Sequence, residues 1–331
     1  MTSRQFRTDE NAAFERPRRH TRPRTKDRPD YSEAEIGVVI TVDRGRFTVL
    51  LDGREVSATK ARQLGRTGVI VGDRVRIVGD TSGEEGTLGR IVQVEERSTV
   101  LRRTADDDDP YERPIVANAD QLVIVTALAD PPPRTGMIDR ILVAGYDAGL
   151  EPLLCLTKAD LAGPEELLAQ YGPLGVRVQT VQPGADLTDL RAVLAGRTSV
   201  FVGHSGVGKS TLVNALIPDA HRGIGAVNEV TGRGRHTSSS AIALRLPPLA
   251  ESTDGGWVID TPGVRSFGLS HVTRESIVAA FPDLEALTAD CSRGCTHETG
   301  APECGLDAAV ARGALAPARL ESFRRMIDAG Q

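Results

Sequence analysis

The sequence predicts three folded parts in the order all-β barrel, α/β domain and small helical metal-binding domain. Three patterns support this order. Short alternating strands fill residues 34–105, apolar strands alternate with helical stretches over residues 113–270, and three of the four cysteines cluster within residues 271–331. A chain of 331 residues is long enough for two or three domains, and 40% hydrophobic content suffices for their cores.

Residues 1–33 are expected to form a disordered basic tail, because Pro, Arg and Thr dominate and apolar spacing is absent. Residues 1–30 hold nine Lys or Arg against five Asp or Glu, whereas the whole chain has a net charge of -5. Any RNA contact must therefore be local. Composition leaves open whether the tail is a solvated segment or a basic arm that settles on phosphates.

Residues 34–105 contain the stretches IGVVITV, RFTVLL, REVSATKA, DRVRIV and GRIVQVEE, separated by Gly or Asp turns. The pattern predicts a five-stranded OB-like closed sheet and barely distinguishes it from an SH3-like barrel. Phe47 is its single aromatic residue, so an RNA contact here would use arginine and backbone rather than base stacking.

The acidic run ADDDDPYERP at 105–114 is expected to be a linker or surface loop. Beyond it, predicted strands alternate with predicted helices, which favours a mostly parallel sheet covered on both faces. The strands are QLVIVTAL, EPLLCL, VRVQTV, TSVFVG, AIALRL and GWVID, and the helices are TGMIDRILVAGYDAG, PEELLAQYG, LTDLRAVLAG and STLVNALI.

The run GHSGVGKS at 203–210 fits GxxxxGK[ST] between a predicted strand and a predicted helix, as a phosphate-binding loop requires. Lys209 is expected to act in catalysis by neutralising the β- and γ-phosphates, and Ser210 to offer its hydroxyl to Mg²⁺. A Gly-rich turn that matches by chance is the alternative. The predicted nucleotide-binding residues of this loop are Gly203, His204, Ser205, Gly206, Val207, Gly208, Lys209, Ser210 and Thr211.

Two further strings at strand ends complete the predicted pocket. Asp260 of DTPG can hold Mg²⁺ through its water shell, and Gly263 can offer an unhindered N–H to the γ-phosphate. In TKAD, which supplies Thr157 to the pocket, ionised Asp160 can accept two hydrogen bonds from guanine, which adenine cannot donate. Lys158 would lie along the base plane. TKAD alone is a weak signal and also fits the start of a helix that Asp160 caps.

The strings GHSGVGKS, GRGRHTSS, DTPGVRSF and TKAD, with NADQLVIV and GDRVRIV, resemble in residues and order the circularly permuted GTPases. The match is nearest to the ribosome small subunit-dependent GTPase A family and spans roughly residues 34–325. It explains why TKAD precedes the phosphate loop. If the old termini are joined and new ones cut before QLVIVTAL, each loop keeps its place at one sheet edge. The resemblance implies Mg²⁺ with GTP or GDP, the small ribosomal subunit and its rRNA as partners, and late subunit assembly as the process.

The polar run TGRGRHTSSSA at 231–241 is predicted to be a switch that orders with GTP. Thr237 would supply the second hydroxyl to Mg²⁺, with Ser238 and Ser239 as alternatives. The alternative for the whole run is a flexible surface hairpin with no role in binding. Val264 stands where common small GTPases use Gln to orient water, so slow unaided turnover is expected. His236 is the internal candidate for aligning that water, weighed against a role in partner contact.

The run CSRGCTHETGAPEC supplies a predicted zinc site with gaps of three, one and six residues. Zn²⁺ accepts Cys₃His tetrahedrally, and four protein ligands leave no open position, so the site would be structural. Three unrelated reduced thiols are the alternative. Two helices broken at APA are predicted to follow. The predicted ligands, which the resemblance also implies, are Cys291, Cys295, His297 and Cys304.

The preferred hypothesis is a monomeric cytoplasmic GTPase that hydrolyses GTP to GDP and phosphate while its flanking domains hold rRNA. No apolar run reaches the length of a membrane span and the N-terminus has no apolar signal core, so no membrane partner is expected. One alternative is a P-loop kinase acting on a small molecule, but TKAD and DTPG argue against it. Another is a non-catalytic RNA-binding scaffold in which the nucleotide only stabilises the fold.

Overall fold

The computed structural model describes residues 30–65, 68–104, 112–218, 241–249, 254–262, 269 and 272–330. The chain forms two units, Met1–Glu33 and Ala34–Gln331, and every element named below belongs to the second. Several predictions concern residues outside the described part of the chain: the tail to residue 29, and His236, Thr237, Ser238, Ser239, Gly263 and Val264.

Five strands form a closed barrel, which confirms the predicted OB-like sheet. They are paired in the order β1-β2-β3-β5-β4, and β4 pairs with β1 to close the cylinder. β3 and β5 run parallel, whereas the other neighbours are antiparallel. Inward residues alternate with outward ones along each strand, so the interior is apolar. The strands are β1 Glu35–Asp43, β2 Arg46–Leu51, β3 Arg54–Lys60, β4 Arg74–Gly79 and β5 Gly89–Val94.

A two-stranded ribbon of β6 (Val100–Thr104) and β7 (Glu112–Ala117) follows the barrel. Residues 112–114 of the predicted linker therefore belong to a strand, and that part of the linker prediction is wrong. The strand accommodates Pro114 because both strands of a two-stranded ribbon are edge strands, where proline is tolerated. The Asn118 side chain ties the ribbon to the barrel by donating to the Gly72 carbonyl at 2.9 Å.

The central domain is a mostly parallel sheet in the order β10-β9-β8-β11-β13-β12, with only β12 antiparallel to its neighbour. Val123 and Ile124 of β8 face two different core clusters, so the sheet is covered on both faces as predicted. The strands are β8 Gln121–Ala127, β9 Glu151–Thr157, β10 Arg177–Thr180, β11 Thr198–Val202, β12 Ile242–Arg245 and β13 Trp257–Asp260. The helices are α1 Thr135–Asp147, α2 Glu165–Tyr171, α3 Thr188–Leu194 and α4 Lys209–Leu216.

The barrel and the central sheet are joined edge to edge. Thr41 of β1 pairs with Ile242 of β12, and the two sheets become one sheet of eleven strands within the described residues. The partners are about two hundred residues apart in sequence, and no local pattern signals such a pairing.

The C-terminal region is helical, with α5 Arg274–Ala279, α6 Pro282–Glu285, α7 Gly305–Ala311 and α8 Pro317–Ala329. The predicted break at APA separates α7 from α8. Phe281 joins this region to α1, because its ring lies 4.8 Å from Tyr146 and 5.4 Å from Phe323 between centroids. Among the described helices, none is long and apolar enough to cross a membrane.

Candidate nucleotide site and metal centre

Four neighbouring parallel strands, β9, β8, β11 and β13, end at the same edge of the central sheet. The chain leaves this edge at TKAD, at the loop after β8, at GHSGVGKS and at DTPG. The carboxyl edge of a parallel α/β sheet is where such folds bind ligands. The permuted order of the strings along the chain therefore does not separate them in space.

The loop at 203–210 connects β11 to α4, and it contains backbone conformations with positive φ that only glycine adopts easily. Gly206 and Gly208 both have φ of +86°, and Gly208 stands directly before the first turn of α4. A Cβ at position 203 would lie 2.5 Å from the Val125 carbonyl oxygen, so Gly203 lets the loop approach β8. The loop thus ends in the free N–H groups of a helix N-terminus, which favour an anion.

Lys209 and Asp260 meet directly. The Lys209 ammonium, 8% exposed, donates to the Asp260 carboxylate and to the Thr261 carbonyl at 2.5 Å. The Thr261 hydroxyl in turn donates to the Phe201 carbonyl at 2.7 Å, which fixes the DTPG segment against β11. The structure therefore brings the loop lysine and the DTPG aspartate together, as the strand order predicts.

TKAD contacts the phosphate loop through Thr157. The Thr157 hydroxyl lies 2.6 Å from the Val207 carbonyl oxygen and 3.2 Å from that of Thr126. Lys158 has φ of +57° and donates to the Asp130 carbonyl, while Asp160 is exposed in the turn that follows. The alternative in which Asp160 caps a helix is wrong, because the next helix begins at Glu165.

The other predicted loop residues lie around the mouth of this site. His204 places Nδ1 2.8 Å from the Ser205 carbonyl oxygen, and Ser205, Ser210 and Thr211 are exposed. The nucleotide and magnesium roles of the predicted residues stay predictions.

Sequence reasoning missed the loop after β8. Pro131 and Arg134 line a small cavity together with Gly203, His204 and Val207 of the phosphate loop. A signal was present, since the run ADPPPR follows a fully buried strand and cannot continue it.

Cys291, Cys295, His297 and Cys304 form one compact group near the C-terminus. Their ligand atoms all lie within 4.8 Å of one another, and His297 Nδ1 is 3.6 Å from Cys291 Sγ and 3.8 Å from Cys304 Sγ. A tetrahedral zinc with ordinary Zn–S and Zn–N bonds separates sulfur and nitrogen by about 3.5 Å. The donor set and these two sulfur–nitrogen distances therefore fit the predicted structural Zn²⁺.

The surroundings of the group affect His297 and Cys291 in opposite ways. Burial and the nearby Arg324 lower the pKa of His297, which keeps its imidazole neutral and able to bind a metal. Burial raises the pKa of the Cys291 thiol, and a bound cation would oppose that effect. Arg324 donates to the His297 carbonyl at 3.0 Å and forms two hydrogen bonds to Asp307, so α8 holds the ligand loop in place.

Comparison with known proteins identifies the family. A family model described as RsgA GTPase matches residues 94–270. The Small ribosomal subunit biogenesis GTPase RsgA of Azotobacter vinelandii is 40% identical over 268 residues, covering 78% of this chain and 74% of the relative. That of Pseudomonas aeruginosa (strain LESB58) is 39% identical over 255 residues, covering 74% and 72%.

Two solved structures share the fold. YjeQ from Thermotoga maritima superposes with a TM-score of 0.64 at 27% identity, covering 89% of this chain and 98% of its own. YloQ, a circularly permuted GTPase, has a TM-score of 0.63 at 24% identity, covering 92% and 97%, and supports the fold alone. With the family match and the identity to curated relatives, the chain belongs to the RsgA GTPase family.

Proposed function

We propose that the protein hydrolyses GTP to GDP and phosphate at the carboxyl edge of its central sheet during biogenesis of the small ribosomal subunit. One observation carries the GTPase part. Thr157 of TKAD is bonded to Val207 of the phosphate loop while Lys209 of that loop is bonded to Asp260. The three strings to which we assign base reading, phosphate binding and magnesium binding are therefore in contact with one another.

Each described residue has a defined task in this proposal. Asp160 accepts the two guanine donors, and its exposure leaves the carboxylate free to meet the base. On nucleotide binding, the Lys209 ammonium would move from Asp260 to the β- and γ-phosphates, which would leave the Asp260 carboxylate available to hold Mg²⁺ through its water shell. Ser210, exposed at the start of α4, supplies a hydroxyl to the same ion. Bound Mg²⁺ supplies charge neutralisation between the β- and γ-phosphate oxygens.

Three further assignments complete the site. Thr237 supplies the second magnesium hydroxyl, Gly263 donates its N–H to the γ-phosphate, and His236 aligns the attacking water. Their support is the position of GRGRHTSS between the phosphate loop and DTPG, and of Gly263 after Asp260. Val264 cannot orient water, so a partner is expected to raise the rate.

The partner is the small ribosomal subunit and its rRNA, as the names of the curated relatives indicate for those proteins. A closed OB-like barrel and a Cys₃His domain flank the GTPase sheet, and both kinds of module commonly bind nucleic acid. We infer that the protein acts as a monomer in the cytoplasm, where bacteria assemble this subunit, and that it needs no membrane.

The test is GTP turnover with and without small subunits, with Lys209→Ala as the inactive control. Strong stimulation of wild type and none of Lys209→Ala is expected. ADP or GDP formation that depends on a small-molecule acceptor would instead identify a kinase. Equal rates with and without small subunits would refute the ribosomal part, and ATP turned over as fast as GTP would refute the role of Asp160.

A further inference from the structure

The C-terminal helix α8 lies across the start of α1 and the end of α2. Its first half is held by hydrogen bonds, whereas an ion pair in its second half is longer than a hydrogen bond. Arg319, near its first turn, donates to the Pro173 carbonyl at 2.8 Å and to Asp283 at 2.8 Å, and its guanidinium stacks 5.3 Å from the Phe281 ring centroid. Ser322 donates to the Gln170 carbonyl at 3.2 Å. Pro173 and Gln170 thus attach this end of α8 to the GTPase domain, whereas Asp283 and Phe281 hold it within the C-terminal domain.

Arg325, two turns further on, forms an incomplete ion pair with Asp139 of α1. Arg325 Nε lies 3.7 Å from Asp139 Oδ2, beyond hydrogen-bond length, and the Asp139 side chain is only 9% exposed. Among the described residues, nothing hydrogen-bonds to Asp139 Oδ1 or to Arg325 Nε, although both atoms are buried. Arg325 is held instead by the Gln170 carbonyl at 3.2 Å and the Tyr171 ring at 5.5 Å.

Burial of such a half-made pair is costly, and a small motion would complete it. A charge-assisted hydrogen bond of about 2.8 Å requires the two groups to approach by about 0.9 Å. Arg319 and Arg325 are six residues apart, or about 9 Å along the helix, so a tilt of about 6° about Arg319 is enough. A second position of α8 that completes the pair would therefore require only a small displacement from the observed one.

Asp139 is well placed to pass this motion to the nucleotide site. It lies in the second turn of α1, close to Tyr171, whose hydroxyl donates to the carbonyl of Thr135 at the start of the helix at 3.2 Å. The same end of α1 lines a cavity opposite Gly203 and His204 of the phosphate loop. A shift of Asp139 thus moves the wall that faces this loop.

We propose that Asp139 and Arg325 are a positioning pair through which the seating of the C-terminal domain sets the geometry of the GTPase site. A partner that grips the C-terminal domain closes the pair, tilts α8 and moves the start of α1 against the phosphate loop. The identity of that partner as the small subunit rests on the proposed function. The role of Asp139 and Arg325 as a pair does not depend on which partner binds.

The first test uses the full-length, zinc-loaded protein and the ratio of stimulated to basal kcat with small subunits. Arg325→Met and Asp139→Asn are expected to lower this ratio about tenfold, and Arg325→Lys to retain most of it. Combining Asp139→Asn with Arg325→Met should lower it no further than the worse single variant, because the two residues act as a pair. Arg312→Met is the matched control, since its half-exposed guanidinium lies 3.8 Å from Asp290 and has no other ion pair among the residues that the structure describes.

A structural role alone would lower the thermal midpoint and metal content without changing the ratio. The pair is refuted if Arg325→Met keeps the wild-type ratio, if Arg312→Met loses as much, or if the two substitutions add. If wild type is not stimulated at all, the ribosomal proposal fails and a second measurement decides on the pair. Amide hydrogen exchange in residues 317–329 should then differ between GTP-analogue and GDP states in wild type and not in Arg325→Met, and equal exchange in wild type would overturn the inference.

Discussion

Replacing Thr157 by Val tests whether TKAD holds the phosphate loop in its binding shape. The change keeps the volume of the side chain and removes the hydroxyl that lies 2.6 Å from the Val207 carbonyl oxygen. A buried carbonyl that loses its donor costs about 1–3 kcal/mol. In the free protein the loop can relieve this cost by turning the carbonyl towards water. Nucleotide binding must then reverse that motion, so GTP affinity is expected to fall by about 5- to 150-fold.

Titration calorimetry with a non-hydrolysable GTP analogue measures the effect. Thr157→Ser is the control, because it keeps the hydroxyl and should bind within about twofold of wild type. GDP affinity should fall in parallel, since both nucleotides share the phosphates that the loop surrounds. The reasoning fails if Thr157→Val binds as tightly as wild type, or if Thr157→Ser loses as much as Thr157→Val.

Two further predictions concern the parts around this site. Cys304→Ser should abolish stoichiometric zinc and lower the thermal midpoint of the C-terminal domain, whereas Cys155→Ala, a buried thiol far from the metal group in sequence, should leave the zinc content unchanged in a metal assay. Asp73→Ala should lower the free energy of unfolding in urea by about 3–5 kcal/mol, because it leaves Arg97, bonded to this fully buried carboxylate at 2.7 and 2.9 Å, without its partner. Glu35→Ala, at an exposed ion pair, should cost less than about 1 kcal/mol, and equal losses at the two sites would contradict the argument.

The sequence predicted those features that local chemistry determines. Each strand of the barrel and of the central sheet was visible as an apolar run bounded by turn residues, and β8 is buried at all seven positions. Gly206 and Gly208 stand where the backbone must turn with positive φ, which is why the loop could be recognised from its letters. The four metal ligands lie within fourteen residues, so their meeting needed no knowledge of the fold.

Features that depend on distant pairing escaped prediction. The joint between β1 and β12 rests on a Thr41–Ile242 register, and both strands look like ordinary half-buried strands by themselves. The motif led us to expect Lys158 along the base plane. It did not reveal that the Lys158 backbone is left-handed, with φ of +57°, in the sharp turn after β9. The ion pair between Arg325 and Asp139 also escaped prediction, because nothing local reveals that the two residues face each other.

The C-terminal domain is connected to the nucleotide site by two independent routes. Along the chain, Thr261 is followed by α5 after about a dozen residues, so the segment that leaves Asp260 enters this domain directly. Through space, α8 packs near α1, where Arg325 faces Asp139, and the first turns of α1 face the phosphate loop. A displacement of the domain can therefore reach the nucleotide site from the DTPG side, from the α1 side or from both. Circular permutation creates the first route and docking creates the second, and together they make the domain a suitable place from which a partner can control GTP turnover.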